Sequence, residues 1–162
     1  MNQNRSVLDW LYIIGLSALW GSAFVFIKIA TPAIGAVGLV FLRLVLASLL
    51  LGVLFIRKQH FKMIKENIFP IILIGAINVA LPFYCFSYSA LAINASTMAV
   101  INGSTPLFAF MFSIVWLNFQ FKWFQFLGIL IGMSGLVVFV GYESLEFKLF
   151  PMFMAMIGAA MY

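Results

Sequence analysis

The chain has 162 residues, of which 65% are hydrophobic and 8% charged, and its formal net charge is +5. Soluble domains carry about 25% charged residues, so we expect lipid rather than water to surround most of this chain. Its basic residues lie mainly in short segments between apolar runs, where such residues set membrane topology. The charge therefore does not indicate a nucleic-acid partner. Continuous apolar runs of ~20 residues predict an all-α, polytopic membrane helix bundle.

Five transmembrane helices are predicted in chain order, followed by a sixth apolar segment that begins near Leu149. The predicted spans are Trp10–Ala30, Ile34–Ile56, Phe69–Leu91, Ala95–Leu117 and Phe124–Gly141. We expect Thr31-Pro32 to separate the first helix from the second. The sixth segment runs to Tyr162 and would rise ~21 Å as a helix, against a hydrocarbon core of ~30 Å. We expect it to be a truncated span.

Loop charges predict the orientation of these spans. With a cytoplasmic N-terminus, six basic residues lie inside and two, Lys28 and Lys148, lie outside. The six are Arg5, Arg57, Lys58, Lys62, Lys65 and Lys122. This positive-inside bias predicts a multi-pass protein of a bacterial-type inner (plasma) membrane with its N-terminus in the cytoplasm. Lys28 lies one turn from the outer end of its span, where we expect it to act as an interface anchor.

Arg43 is the ninth basic residue and lies about midway along the second predicted span. A charge at the centre of a membrane helix costs roughly 2.5–3.5 kcal/mol on insertion scales. Two interpretations remain open. Arg43 faces the bundle interior and binds an anionic or carbonyl-bearing group, or it stabilises the bundle by bonding helix-end carbonyls or a polar side chain.

Two further spans carry polar residues near proline. In the third span, Asn78, Pro82, Cys85 and Ser89 share one helical face, which predicts either a cavity wall or interhelical hydrogen bonding. The fourth span holds Asn102, Gly103, Ser104, Thr105 and Pro106 near its middle. Pro106 should bend that helix and free the carbonyl of Asn102. Such breaks are typical of transporter sites, although Ser and Thr hydroxyls can also satisfy the freed carbonyls.

The first and fifth spans add an aromatic residue and a glycine stripe. Trp20 is too deep to anchor at an interface and is a candidate for a cavity or for packing. Gly128, Gly132 and Gly135 predict a small-residue packing face, used within the bundle or in a homodimer. The four acids are Asp9, Glu66, Glu143 and Glu146, none of them mid-membrane. We find no metal-ligand cluster and no nucleophile–base pair, so neither enzymatic activity nor a cofactor is predicted.

Several short motifs, in order, resemble the EamA-type repeat of the drug/metabolite transporter superfamily. They comprise Leu19–Val25 with Lys28, Phe41-x-Arg43-x3-Ala47, Phe86-x-Tyr88-x-Ala90-Leu91 with Ala95-Ser96, Ala99-x2-Asn102-x3-Pro106-Leu107-Phe108, and Gly128-x3-Gly132-x2-Gly135. The resemblance covers roughly residues 11 to 141. One position departs from it: many members have Gly-Glu just after the fourth span, where this chain has Asn118-Phe119. The role of that acid is therefore in doubt here.

The resemblance implies a ten-helix carrier made of two inverted five-helix repeats. Residues 1–143 would form the first repeat, and residues 144–162 would begin the second. The rest of the second repeat, a missing C-terminal part of the same chain, would pack against the first as its partner. Such carriers move small polar metabolites, amino acids often among them, by alternating access, as exporters or exchangers. The resemblance implies cavity-lining roles for Trp20, Asn78, Tyr84 and Asn102, with Arg43 nearby. We add Ser104 and Thr105 as candidates, with Pro82 and Pro106 as helix breaks, and expect residues 1–162 alone to transport nothing.

Two alternatives remain. The chain could be a half-size carrier that works as a dimer, like the small multidrug pumps, although those need balanced loop charge and a carboxylate in the first span. It could instead be a non-transporting membrane scaffold. The scaffold hypothesis predicts that no water-accessible cavity exists and that Asn78 and Asn102 are paired with each other.

Overall fold

The computed structural model describes residues 7–55, 58–141 and 144–162, with side chains for all of these except residues 55 and 58–60. The predictions for Arg5, Arg57, the side chain of Lys58 and the boundary at residue 143 therefore lie outside the described residues. Within them, eight α-helices and one π-helical segment follow one another. The α-helices are α1 (Val7–Phe55), α2 (Lys58–Glu66), α3 (Ile68–Gly75), α4 (Leu81–Ala90), α5 (Ala95–Asn102), α6 (Thr105–Leu117), α7 (Trp123–Val140) and α8 (Leu149–Ala160). The π segment, Ala76–Ala80, joins α3 to α4.

Helices α1, α3–α4, α5–α6 and α7 form four segments that are long and apolar enough to cross a membrane. The described chain is therefore an all-helical protein with several spans, as predicted. Helix α8 is apolar but shorter, with 12 residues. The first two predicted spans both fall within α1, so the number of membrane crossings depends on how α1 bends.

Helix α1 bends at Gly35, which has φ 75° and ψ 161°. A straight helix would place Leu19 and Leu46 ~40 Å apart at about 1.5 Å per residue, yet both line one cavity. The helix therefore folds back on itself as a hairpin, with a first arm before Gly35 and a second arm after it. The predicted break at Thr31-Pro32 was wrong by one turn: Pro32 stays within the helix, and Gly35 bends because glycine tolerates positive φ.

The core forms where α4, α8, α5 and the first arm of α1 meet. Phe86 is 1% exposed and packs edge-to-face on Phe24, with ring centroids 5.5 Å apart. Gly158 brings α8 against α4 so closely that an added Cβ would lie 3.1 Å from Phe86 Cε2. The glycine thus permits α8 and α4 to approach each other closely.

The turn between α4 and α5 is held by lysine side chains from two other segments and by a cap of its own. Lys28 Nζ donates to the carbonyl oxygens of Ala90 at 2.8 Å and Ile93 at 2.9 Å. Lys148 Nζ donates to the carbonyl of Ala92 at 2.6 Å, and Asn94 caps α5 by accepting from the Thr97 amide at 2.8 Å. Cations are favourable at a helix C-terminus, so Lys28 stabilises this turn rather than only anchoring at an interface.

The predicted packing face of the fifth span has no neighbour among the described residues. A Cβ added at Gly128, Gly132 or Gly135 in α7 would meet no heavy atom within 4 Å. Packing of this face within the bundle is therefore absent from the part of the chain that the structure describes. Gly103, in contrast, does pack on α7, because an added Cβ would contact Leu136.

Candidate functional site

A cavity of about 420 Å³ lies between the two arms of α1 and α4. The first arm lines it with residues between positions 19 and 30, the second arm with residues between 39 and 46, and α4 with Phe83 and Ser87. Most lining side chains are apolar, and the polar ones are Ser22, Arg43 and Ser87. Small-molecule pockets have this composition and fall in this size range, roughly 300–1,000 Å³.

Arg43 extends from the second arm of α1 over the aromatic face of Phe83. Its guanidinium carbon lies 3.8 Å from the ring centroid, which is a cation–π contact. The side chain makes no hydrogen bond or ion pair with any residue that the structure describes. Arg43 therefore bonds no helix-end carbonyl among the described residues, and it lines the cavity.

A second, smaller cavity of about 30 Å³ adjoins Arg43 and brings together three of the predicted site residues. Trp20 from the first arm of α1, Arg43 from the second arm and Asn102 at the end of α5 all line it. Besides Trp20, four aromatic side chains line it: Phe24, Phe83, Phe86 and Tyr162. The residues come from five separate segments, so the fold rather than a local motif assembles them.

Ser104 and Thr105 bond to the backbone at the break in the fourth span. Helix α5 ends at Asn102 and α6 begins at Thr105. Ser104 Oγ donates to the Ile101 carbonyl at 2.6 Å, and Thr105 Oγ1 donates to the Asn102 carbonyl at 2.7 Å. Pro106 has no amide hydrogen that could bond to the Asn102 carbonyl. The Thr105 hydroxyl supplies that hydrogen bond instead. Neither hydroxyl-bearing residue lines the two cavities above.

The remaining predicted residues lie away from these cavities. Asn78 is exposed within the π segment, which ends just before Pro82 near the start of α4. Tyr84 packs beside Tyr88, with ring centroids 6.2 Å apart. On the face that Pro82 shares with Ser89, Ser89 Oγ donates towards the Pro151 carbonyl of α8 at 2.7 Å. That face therefore forms an interhelical contact, one of its two predicted roles.

Sequence reasoning missed Phe83 and Ser87, which form the α4 side of the larger cavity. They are four residues apart, so they lie on one helical face. Ser87 is 2% exposed, and its hydroxyl makes no hydrogen bond with any described residue. The available signal was a serine one helical turn after a phenylalanine. It was overlooked because the prediction for this span relied on the polar face that includes Asn78 and Ser89.

No cluster of three or more metal-ligating side chains occurs among residues 7–55, 58–141 and 144–162. The EamA-like transporter family model matches residues 9–141, which is most of the chain. The chain belongs to the EamA-like transporter family. Family membership and the apolar helices together identify this EamA-like chain as a multi-pass membrane protein of a transporter family.

One curated relative is an uncharacterized transporter in the trpA 3' region of Buchnera aphidicola subsp. Schlechtendalia chinensis. It is 28% identical over 127 residues, which is 77% of this chain and 41% of the relative. The EamA-like chain thus spans about two-fifths of that relative's length. No solved structure matches it.

Proposed function

We propose that this EamA-like chain forms the first repeat, and the start of the second, of a secondary carrier for small polar metabolites. Amino acids and related compounds are the proposed substrates, and the mode is export or exchange by alternating access. The observation that carries this proposal is the meeting of Trp20, Arg43 and Asn102 at one small cavity beside the larger one. Polar groups converging on an apolar pocket are the usual form of a small-molecule site.

The proposed architecture has five membrane crossings in residues 1–143 and a sixth that begins at Leu149. The two arms of α1 count as the first two crossings, because the hairpin at Gly35 reverses the chain. An inverted second repeat would then complete the cavity, as in many transporters built from internal repeats. The N-terminus and α2 would lie in the cytoplasm at a bacterial-type inner membrane, since the loop charges favour that orientation.

The two alternatives are less well supported. A non-transporting scaffold predicts that Asn78 pairs with Asn102, whereas Asn78 is exposed and Asn102 lines a cavity. A half-size multidrug-type dimer needs a membrane carboxylate, and the four acids of the sequence all lie near the ends of the predicted spans or in loops. The unpacked glycine face of α7 still permits a homodimer of the carrier.

Counterflow tests the proposal. Proteoliposomes holding the full-length carrier that includes residues 1–162 would be loaded with unlabelled amino acids and supplied with a labelled mixture outside. We expect accumulation of label above empty vesicles, and its loss when Asn102→Leu removes the polar group of the small cavity. Lys62→Gln is the matched control, because Lys62 is exposed on α2. Folded protein that exchanges no labelled amino acid would contradict the proposed substrates.

A further inference from the structure

Two polar groups of the larger cavity, the Arg43 guanidinium and the Ser87 hydroxyl, make no ion pair or hydrogen bond with the described residues. Arg43 makes no ion pair with the described residues, and its guanidinium lies over the ring of Phe83. Across the whole sequence, no acidic residue lies in the middle of a predicted span. A ligand that enters this cavity therefore meets a net positive charge, which favours an anionic group.

Ser87 is the second polar group. It lies one helical turn from Phe83, which places it ~6 Å along the same face of α4. Its side chain is 2% exposed, yet its hydroxyl makes no hydrogen bond with any described residue. No fully buried polar side-chain atom of the described residues lacks a partner, so the Ser87 hydroxyl is a free donor at the cavity that it lines, where a ligand acceptor could bind it. Both Arg43 and Ser87 line the same cavity.

The rest of the lining is hydrocarbon. Leucine, isoleucine, valine, alanine and phenylalanine side chains from both arms of α1 surround the two polar groups. The third polar residue, Ser22, already donates its hydroxyl to the Leu19 carbonyl at 3.0 Å. The cavity therefore offers one anion-binding end and one apolar body, within a volume of about 420 Å³.

We infer that this cavity binds an organic monocarboxylate with a branched or aromatic hydrocarbon body. The carboxylate lies between the Arg43 guanidinium and the Ser87 hydroxyl, and the hydrocarbon body packs on the arms of α1. Arg43 is suited to this role because its planar fork can donate two parallel hydrogen bonds to a carboxylate. The inference rests on the proposed function for its site and names the chemical class of the ligand.

Equilibrium binding to the chain in lipid nanodiscs separates this inference from transport. The probes are 4-methylpentanoate and its neutral isostere 4-methylpentanamide, which differ in charge but hardly in shape. We expect the carboxylate to bind at least about 10-fold more tightly, as the loss of one charge-assisted hydrogen bond predicts. Equal affinity for the two probes, or no binding of either, would overturn the inference, and neither result depends on counterflow.

Single substitutions then show which side chains bind the carboxylate. Arg43→Gln should reduce the affinity for the carboxylate by about 10-fold or more while leaving the affinity for the amide unchanged. Ser87→Ala should weaken binding of the carboxylate by a smaller factor, and Lys62→Gln should change the affinity for neither probe. If Arg43→Gln does not fold, Ala23→Leu is the second variant: it fills the cavity and should abolish binding of both probes. Undiminished carboxylate binding in folded Ala23→Leu protein would refute this location.

Discussion

The Nζ atom of Lys28 lies 2.8 Å from the carbonyl oxygen of Ala90, a residue 62 positions later in the chain. The same Nζ atom donates to the carbonyl of Ile93 at 2.9 Å. One basic side chain from the first arm of α1 therefore satisfies two carbonyls at the turn between α4 and α5. This contact ties the first arm of α1 to the turn between α4 and α5.

Replacing Lys28 should destabilise the bundle. We expect Lys28→Met to reduce the free energy of unfolding by about 1.5–3 kcal/mol, the usual contribution of hydrogen bonds to a charged group. Denaturant titration of the purified protein measures the change. Lys62→Met is the control, because the Lys62 side chain is 86% exposed and its ion-pair distance to Glu66 is 4.0 Å. Equal effects of the two substitutions would disprove a structural role for Lys28.

The hairpin in α1 depends on the backbone conformation of Gly35. Its φ of 75° is unfavourable for any residue with a Cβ, so Gly35→Ala should cost roughly 1–2 kcal/mol. Gly15→Ala, in the regular part of the first arm and with open space around its Cβ position, should instead be neutral or stabilising. Thermal unfolding of the two variants provides the comparison. A stabilised Gly35→Ala protein would show that α1 is not bent there.

Helix α8 should tolerate no side chain at Gly158. A Cβ there would lie 3.1 Å from Phe86 and 3.2 Å from Cys85. Gly158→Val should therefore overpack the core and lower the free energy of unfolding by about 1–3 kcal/mol. Gly132→Val in α7 meets no such neighbours and should cost far less. The midpoint of denaturant unfolding measures both. A similar midpoint shift in the two variants would mean that α8 does not dock on α4.

Asn102 should be reachable from water. With Cys85 replaced by alanine, Asn102→Cys should react with a membrane-impermeant thiol reagent, because Asn102 lines the small cavity beside Arg43. Met98→Cys, one turn earlier at a position that is 0% exposed, should stay unlabelled. Mass spectrometry of labelled membranes measures the modification. If position 102 were unlabelled in every facing state, the cavity would not be part of a solute path.

The orientation of the chain can be measured with a reporter fused after Lys62. We expect a cytoplasmic signal, since most loop cations lie on the side of α2. A fusion after Lys148 should give the opposite signal. An external signal from the Lys62 fusion would reverse the proposed topology and the side on which the N-terminus lies.

Periodicity and charge in the sequence were sufficient for the helical class and most of the span boundaries. The length of an apolar run predicts a membrane helix directly, because the rise per residue is constant and the helix must match the thickness of the bilayer. The same local logic predicted the break before Pro106, where the structure ends α5 at Asn102. It misplaced the first break because proline was taken as the helix breaker. The helix continues through Pro32 and bends where Gly35 adopts a positive φ.

The composition of the site was beyond such local patterns. The sequence singled out Trp20, Arg43 and Asn102 as polar or aromatic residues at membrane depth, and the fold brings these three to one cavity. It could not tell which candidates the fold brings together, nor find Phe83, Ser87 and Tyr162, because the face that a helix turns inward depends on its neighbours. In a bilayer every face is apolar, so the hydrophobic pattern carries no inward direction, and only packing between distant segments supplies it.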